Sequence, residues 1–179
     1  MHLFVAVWPD EATVARLSSL ELPSAPALRL VRPDEWHITL RFLGGVDERL
    51  VPGLLDALGS AARTLTGPIH AILGPGTAWF AGGRVLQVPV TGVDGLAAAM
   101  RSATVPVVPD RDAGEVPFVG HLTVAQATGT GPDAATRSAL AGISCSSSFR
   151  VDAVHLVGSP RTPSGPRYVV LGSASLPSG

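Results

Sequence analysis

The chain has 179 residues, 46% hydrophobic and 15% charged, with 13 basic against 14 acidic side chains and a net charge of −1. Every basic residue is arginine and lysine is absent, which excludes Schiff-base lysines, P-loop lysines and a covalent lysyl nucleotide. A lone Cys145 excludes a disulfide framework, a thiolate zinc site and a CxxC redox pair, and the near-neutral charge argues against a broad grip on a nucleic-acid backbone.

The length suits one domain over residues 1–179, with room for two lobes on a shared core. Residues 2–8 form a short apolar run, expected as a strand, and Asp10-Glu11 suit the first turn of a helix reaching about residue 20. The start lacks a basic n-region and so does not resemble a signal peptide. Residues 28–31 predict a short strand. Residues 36–43 predict a longer one, broken by Gly44-Gly45. Asp47 is a candidate cap for a helix whose Leu50, Leu54, Leu55 and Leu58 recur at helical spacing. Strands are expected at 69–73 and 84–90, and an Ala-rich helix at 93–101. Residues 105–118, with three prolines and four charged residues, read as a long loop that could lid a site. A strand at 120–127, a helix at 132–140, a strand at 149–157, a loop at 159–166 and a last strand at 167–171 follow, with 172–179 expected to fray. Adjacent strand pairs imply antiparallel pairing and an α+β fold. No apolar run approaches 18 residues, so no transmembrane helix is expected. A monomeric cytoplasmic protein is the default expectation.

Two of the five histidines share a local pattern. Residues 36–43 read Trp-His-Ile-Thr-Leu-Arg-Phe-Leu, and residues 120–125 read Gly-His-Leu-Thr-Val-Ala. With 5 His and 12 Thr, about 0.3 His-x-Thr pairs are expected by chance, and fewer with apolar flanks. Residues i and i+2 of a strand share a face, so His37 projects with Thr39 and His121 with Thr123. By the same parity Arg41 joins His37 and Thr39. Two imidazoles across a cleft can divide their protonation, one taking a proton from a nucleophile and the other giving one to a leaving group. Threonine hydroxyls can bind non-bridging phosphate oxygens. This suits phosphodiester cleavage without a metal, since two histidines alone make a thin metal shell. His2, His70 and His155 lack the following Thr and read as structural or exposed. Trp36, Trp79 and Phe118 could stack on a base, though strand aromatics more often sit in cores.

The two motifs resemble the paired HxTx signatures of the two-histidine (2H) phosphoesterase superfamily. The opening LFVAV strand, the run HITLRFLG at 37–44, Pro117-Phe118, and Gly165-Pro166-Arg167-Tyr168 resemble the bacterial and archaeal RNA 2′,3′-cyclic phosphodiesterases, also called 2′-5′ RNA ligases. The resemblance implies a bilobal α+β fold, two antiparallel-sheet lobes with helices outside and both motifs facing a central cleft. It implies hydrolysis of 2′,3′-cyclic phosphate ends of RNA, or of small cyclic nucleotides, to 2′-phosphomonoesters without a cofactor, and ATP-independent ligation in reverse. It implies His37 as general acid and His121 as base, with Thr39 and Thr123 on the phosphate. One position departs: Gln126 stands where that group commonly has arginine. Arg41 is the first candidate to supply the missing charge, with Arg161 and Arg167 behind it. Another small cyclic phosphate, a 2′-5′ oligonucleotide, or non-catalytic binding of an RNA end are the alternatives.

Overall fold

A computed structural model describes residues 1–80, 82–110, 117–159, 161, 162, 165, 166 and 168–178, the side chains of 161, 162, 165 and 166 excepted. Its α+β architecture is the one expected. Strand β1 (His2–Val7) is buried along almost its whole length and leads into helix α1 (Glu11–Ser18). Asp10 caps that helix by accepting the Thr13 N–H at 2.8 Å. Strand β2 (Leu28–Leu30) and a 3-10 turn at Pro33–Glu35 precede β3 (Ile38–Gly45), which runs through the glycine pair expected to end it. Asp47 caps a separate 3-10 turn, Glu48–Leu50, and α2 (Val51–Thr64) starts one residue later with Pro52 in its first turn. Next come β4 (His70–Leu73), β5 (Ala78–Phe80), β6 (Val85–Thr91) and α3 (Asp94–Thr104). Then follow β7 (His121–Ala127) and α4 (Ala134–Leu140), β8 (Ser147–Arg150) and β9 (Ala153–Ser159), a β10–β11 hairpin (Arg161–Thr162, Gly165–Pro166), and β12 (Val169–Ser175).

Three expectations need correction. The single strand expected at 149–157 is two, because Val151-Asp152 turns the chain from β8 into β9, and these strands sit in different parts of the sheet. The loop at 159–166 holds the β10–β11 hairpin. The tail does not fray at 172: β12 pairs with β9 as far as Ser175, and buried Leu176 donates its N–H to the Asp152 carbonyl at 2.8 Å. The lid expected at Arg111–Glu115 lies outside the described residues.

Ten strands form one antiparallel sheet, β12-β9-β1-β3-β7-β6-β4-β8, with β2 added to β7 and β5 to β6. Helices α2 and α3 cover the β12-to-β3 half, whereas α1 packs on β8 at the far end of the other. One cluster of buried apolar residues runs through both halves, including Leu3, Ile38, Leu54, Leu58, Leu86, Leu122 and Leu156. At roughly 1.5–3 kcal/mol per fully buried aliphatic side chain, that shared core is the main favourable term holding the sheet together.

Two details of register position the functional face. β3 and β7 meet at one rung, Ile38 opposite Leu122. Continued one residue either way, that antiparallel register sets His37 opposite Thr123 and Thr39 opposite His121. Each strand then carries a bulge at the same offset. In β3, Val5 and Ala6 of β1 pair with Arg41 and Thr39, leaving Leu40 over. In β7, Leu86 and Gln87 of β6 pair with Ala125 and Thr123, leaving Val124 over. A bulge inverts the parity beyond it. Leu40 and Arg41 are therefore both buried and Phe42 emerges, and Val124 and Ala125 are both buried and Gln126 emerges.

Candidate active site

His37 sits where the 3-10 turn Pro33–Glu35 feeds β3, and its Nδ1 lies 2.7 Å from the Glu35 carbonyl. His121 opens β7, and its Nδ1 lies 2.8 Å from the Val119 carbonyl. A carbonyl only accepts, so in both rings Nδ1 carries the hydrogen and Nε2 is left for the cleft. Each histidine is thus oriented by the backbone two residues upstream, the same device used twice. Gly120 makes the second instance possible. Its carbonyl receives the Val90 N–H at 2.9 Å, and a Cβ there would collide with the Val90 carbonyl oxygen.

The surroundings of the two rings differ. His37 is enclosed by Phe4 and Trp8, at 5.0 and 5.9 Å between ring centroids, and by Tyr168 edge-on at 5.0 Å. His121 has Phe80 at 5.0 Å. Burial lowers the His37 pKa, and the charge of nearby His121 lowers it further, against the raising influence of the Glu35 carbonyl and carboxylate. His37 is therefore biased to the neutral form in the free protein.

Both histidines and both threonines line one cavity of about 440 Å³, together with Arg29 and Tyr168. The four residues singled out by the repeated motif are thus brought together. Arg41 is not among them. The bulge at Leu40 turns it to the covered side of the sheet, where Nη1 donates to Thr104 Oγ1 at 2.6 Å and Nη2 to Asp110 Oδ1 at 2.8 Å. It borders an adjoining cavity of about 790 Å³, which shares His2, Thr39, Phe42 and His121 with the first. Phe42, 66% exposed, holds the place on the cleft face that parity assigned to Arg41.

Of the aromatic candidates, Trp36 is buried in the core and Trp79 donates to the Arg137 carbonyl at 2.9 Å, which leaves Phe118 beside the second cavity. His155 packs edge-on against Trp8 and contacts Ser173 Oγ at 2.7 Å. Cys145 is buried, and burial pushes its thiol pKa up. The side chains of Arg161 and Arg167 lie outside the described residues. Arg29 and Glu35 belong to no repeated motif that would single them out. Arg29 alternates with Leu28 and Leu30, a faint sign that it leaves the core, but nothing in a polar turn marks Glu35 as buried. Among the described residues no group of three His, Cys, Asp or Glu side chains is placed to hold a metal ion.

Comparison with known proteins adds independent findings. Residues 7–69 match the family model described as LigT like Phosphoesterase. The fold is similar to the crystal structure of TT0787 of Thermus thermophilus, with a TM-score of 0.84 and 28% identity over 99% of both chains. It is similar to E. coli LigT complexed with 3′-AMP, with a TM-score of 0.72 and 22% identity over 98% of this chain and 97% of that one. A more distant likeness is to the MHV ns2 PDE domain, with a TM-score of 0.60 and 13% identity over 96% of this chain and all of that one. No curated protein matches the sequence.

Proposed function

We propose that the chain is a LigT-like member of the two-histidine phosphoesterase superfamily, and that it hydrolyses 2′,3′-cyclic phosphates, at RNA ends or on single nucleotides, to 2′-phosphomonoesters. The observation that carries this reading is the paired geometry: two imidazoles with Nδ1 fixed on backbone carbonyls, which leaves Nε2 for a substrate, and the same two histidines lining one cavity with Thr39 and Thr123. Such a cavity suits one phosphate and its sugar. E. coli LigT has been crystallised with 3′-AMP and with NADP+, which supports a nucleotide as ligand here.

In the reaction, water attacks phosphorus as one histidine takes its proton, and the bond from phosphorus to O3′ breaks. The second histidine protonates O3′, leaving a 2′-phosphate beside a free 3′-hydroxyl. Thr39 and Thr123 donate to the non-bridging oxygens, where they need not ionise. Enclosed His37 meets substrate as the neutral partner, the form able to take a proton from water, and the donor's part then falls to His121. This is the reverse of the polarity that the family resemblance implies.

Incubation with nucleoside 2′,3′-cyclic phosphates in excess EDTA tests the reading. Turnover should persist and yield the 2′-phosphate. His37→Ala and His121→Ala should each lose about 100-fold or more in kcat, the usual worth of a positioned proton-transfer group. Retention of most activity in both variants would sink it.

A further inference from the structure

Among the described residues, Arg29 is the one guanidinium lining the cavity that holds both histidines. It stands in the middle of β2, and its partner in the β2–β7 ladder is Gln126. The two side chains also meet: Arg29 Nη2 donates to Gln126 Oε1 at 2.8 Å. On the other side Arg29 Nη1 donates to Glu35 Oε2 at 3.3 Å, and that carboxylate is almost wholly buried. The Glu35 backbone carbonyl is the group that orients His37. Gln126 in turn reaches this face only because Val124 bulges out of β7. One guanidinium is thus suspended between the two motif strands, tied through Glu35 to His37 and through Gln126 to the strand of His121.

These contacts engage two of the five donors an arginine offers. Arg29 remains 40% exposed at its side chain, open to the cavity, while its anchors restrict where the fork can point. The site as read above must meet a phosphodiester anion, and no lysine exists to do so. Arg41, turned away by its bulge, is occupied by Thr104 and Asp110.

Resting on the phosphodiesterase reading, we propose that Arg29 is the substrate-binding cation of this site, delivering the phosphate-contacting charge from β2 while Gln126 and Glu35 hold the guanidinium in place. Position 126 then serves as the holder of a cation supplied from across one rung of the ladder.

The test is steady-state kinetics of the full chain on a nucleoside 2′,3′-cyclic phosphate at fixed ionic strength, with inorganic phosphate as competitor. Arg29→Gln should raise KM and the inhibition constant of phosphate by about 10- to 100-fold, the scale of one charge-assisted hydrogen bond, with a smaller change in kcat. The exchange variant Arg29→Gln/Gln126→Arg returns a guanidinium to the same rung and should recover most of that loss. A structural ion pair would show the opposite: lower thermal stability in Arg29→Gln, KM and phosphate inhibition within about twofold of wild type, and no benefit from the exchange. That result overturns the proposal. Should Arg29→Gln fail to fold, Glu35→Gln compared with Glu35→Gln/Arg29→Gln gives the same reading, since the double variant leaves no buried carboxylate unpaired. If the wild type turns over no cyclic nucleotide, the phosphodiesterase reading falls. Calorimetric binding of inorganic phosphate then still decides: weaker binding by Arg29→Gln upholds the cation, and equal binding overturns it.

Discussion

His37 is a titratable ring walled by Phe4, Trp8 and Tyr168, and its protonation follows from those neighbours more than from its motif. NMR titration should place it below the ordinary ~6.5. Tyr168→Ala, which opens one wall, should bring it back toward that value, and an unchanged titration would remove enclosure as the cause. Stability follows with a fixed sign. The lowered pKa disfavours the cation in the folded state, so this contribution is intact above about pH 6.5 and is lost as pH falls through the folded value. His37→Gln should flatten that part of the acid loss in urea titrations at pH 7 and pH 5. At this scale the sequence was readable for His37, Thr39, His121 and Thr123, because their spacing alone sets a shared face. Arg29 was not readable, because its role depends on a ladder partner 97 positions away.

The bulges at Leu40 and Val124 are the decisive features among the elements. Alternation predicts faces only along an uninterrupted strand, and neither bulge carries a glycine or proline that would announce it. The place of Arg41 was lost for that reason. The same bulge gives it a different part: it fastens β3 to α3 and to Asp110, with the Asp110 carboxyl held below the usual range by Arg41 first and Arg101 second. Arg41→Met should therefore cost on the order of 2 kcal/mol in denaturant unfolding and leave KM within about twofold. A large KM change with unaltered stability would return Arg41 to the substrate. The helices were legible because apolar spacing and caps coincide, as at Asp10 and in Leu54 and Leu58 of α2. β5, three residues long and ending at the start of a glycine turn, was not.

For the whole molecule, antiparallel α+β character could be inferred from adjacent strand signals, but strand order could not. It is set by pairings such as Ile38 with Leu122, which no local pattern encodes. That rung should separate function from stability. Leu58 and Leu122 are both fully buried, and replacing either with Ala should cost about 2–5 kcal/mol. Below its unfolding transition, Leu58→Ala should keep kcat/KM near wild type. Leu122→Ala, which loosens the junction between the motif strands, should lose activity while still folded by circular dichroism, and equal activity in the two would contradict the junction's role. The order of elements has one more consequence. β9 and β12, from the end of the chain, complete the half that contains β1 and β3, while α1, from its beginning, leans on β8 in the other. A polypeptide cut between the motifs would therefore give two fragments, each lacking pieces of its own scaffold. Neither should fold by itself, and the cleft should be restored only when the complementary pieces are refolded together.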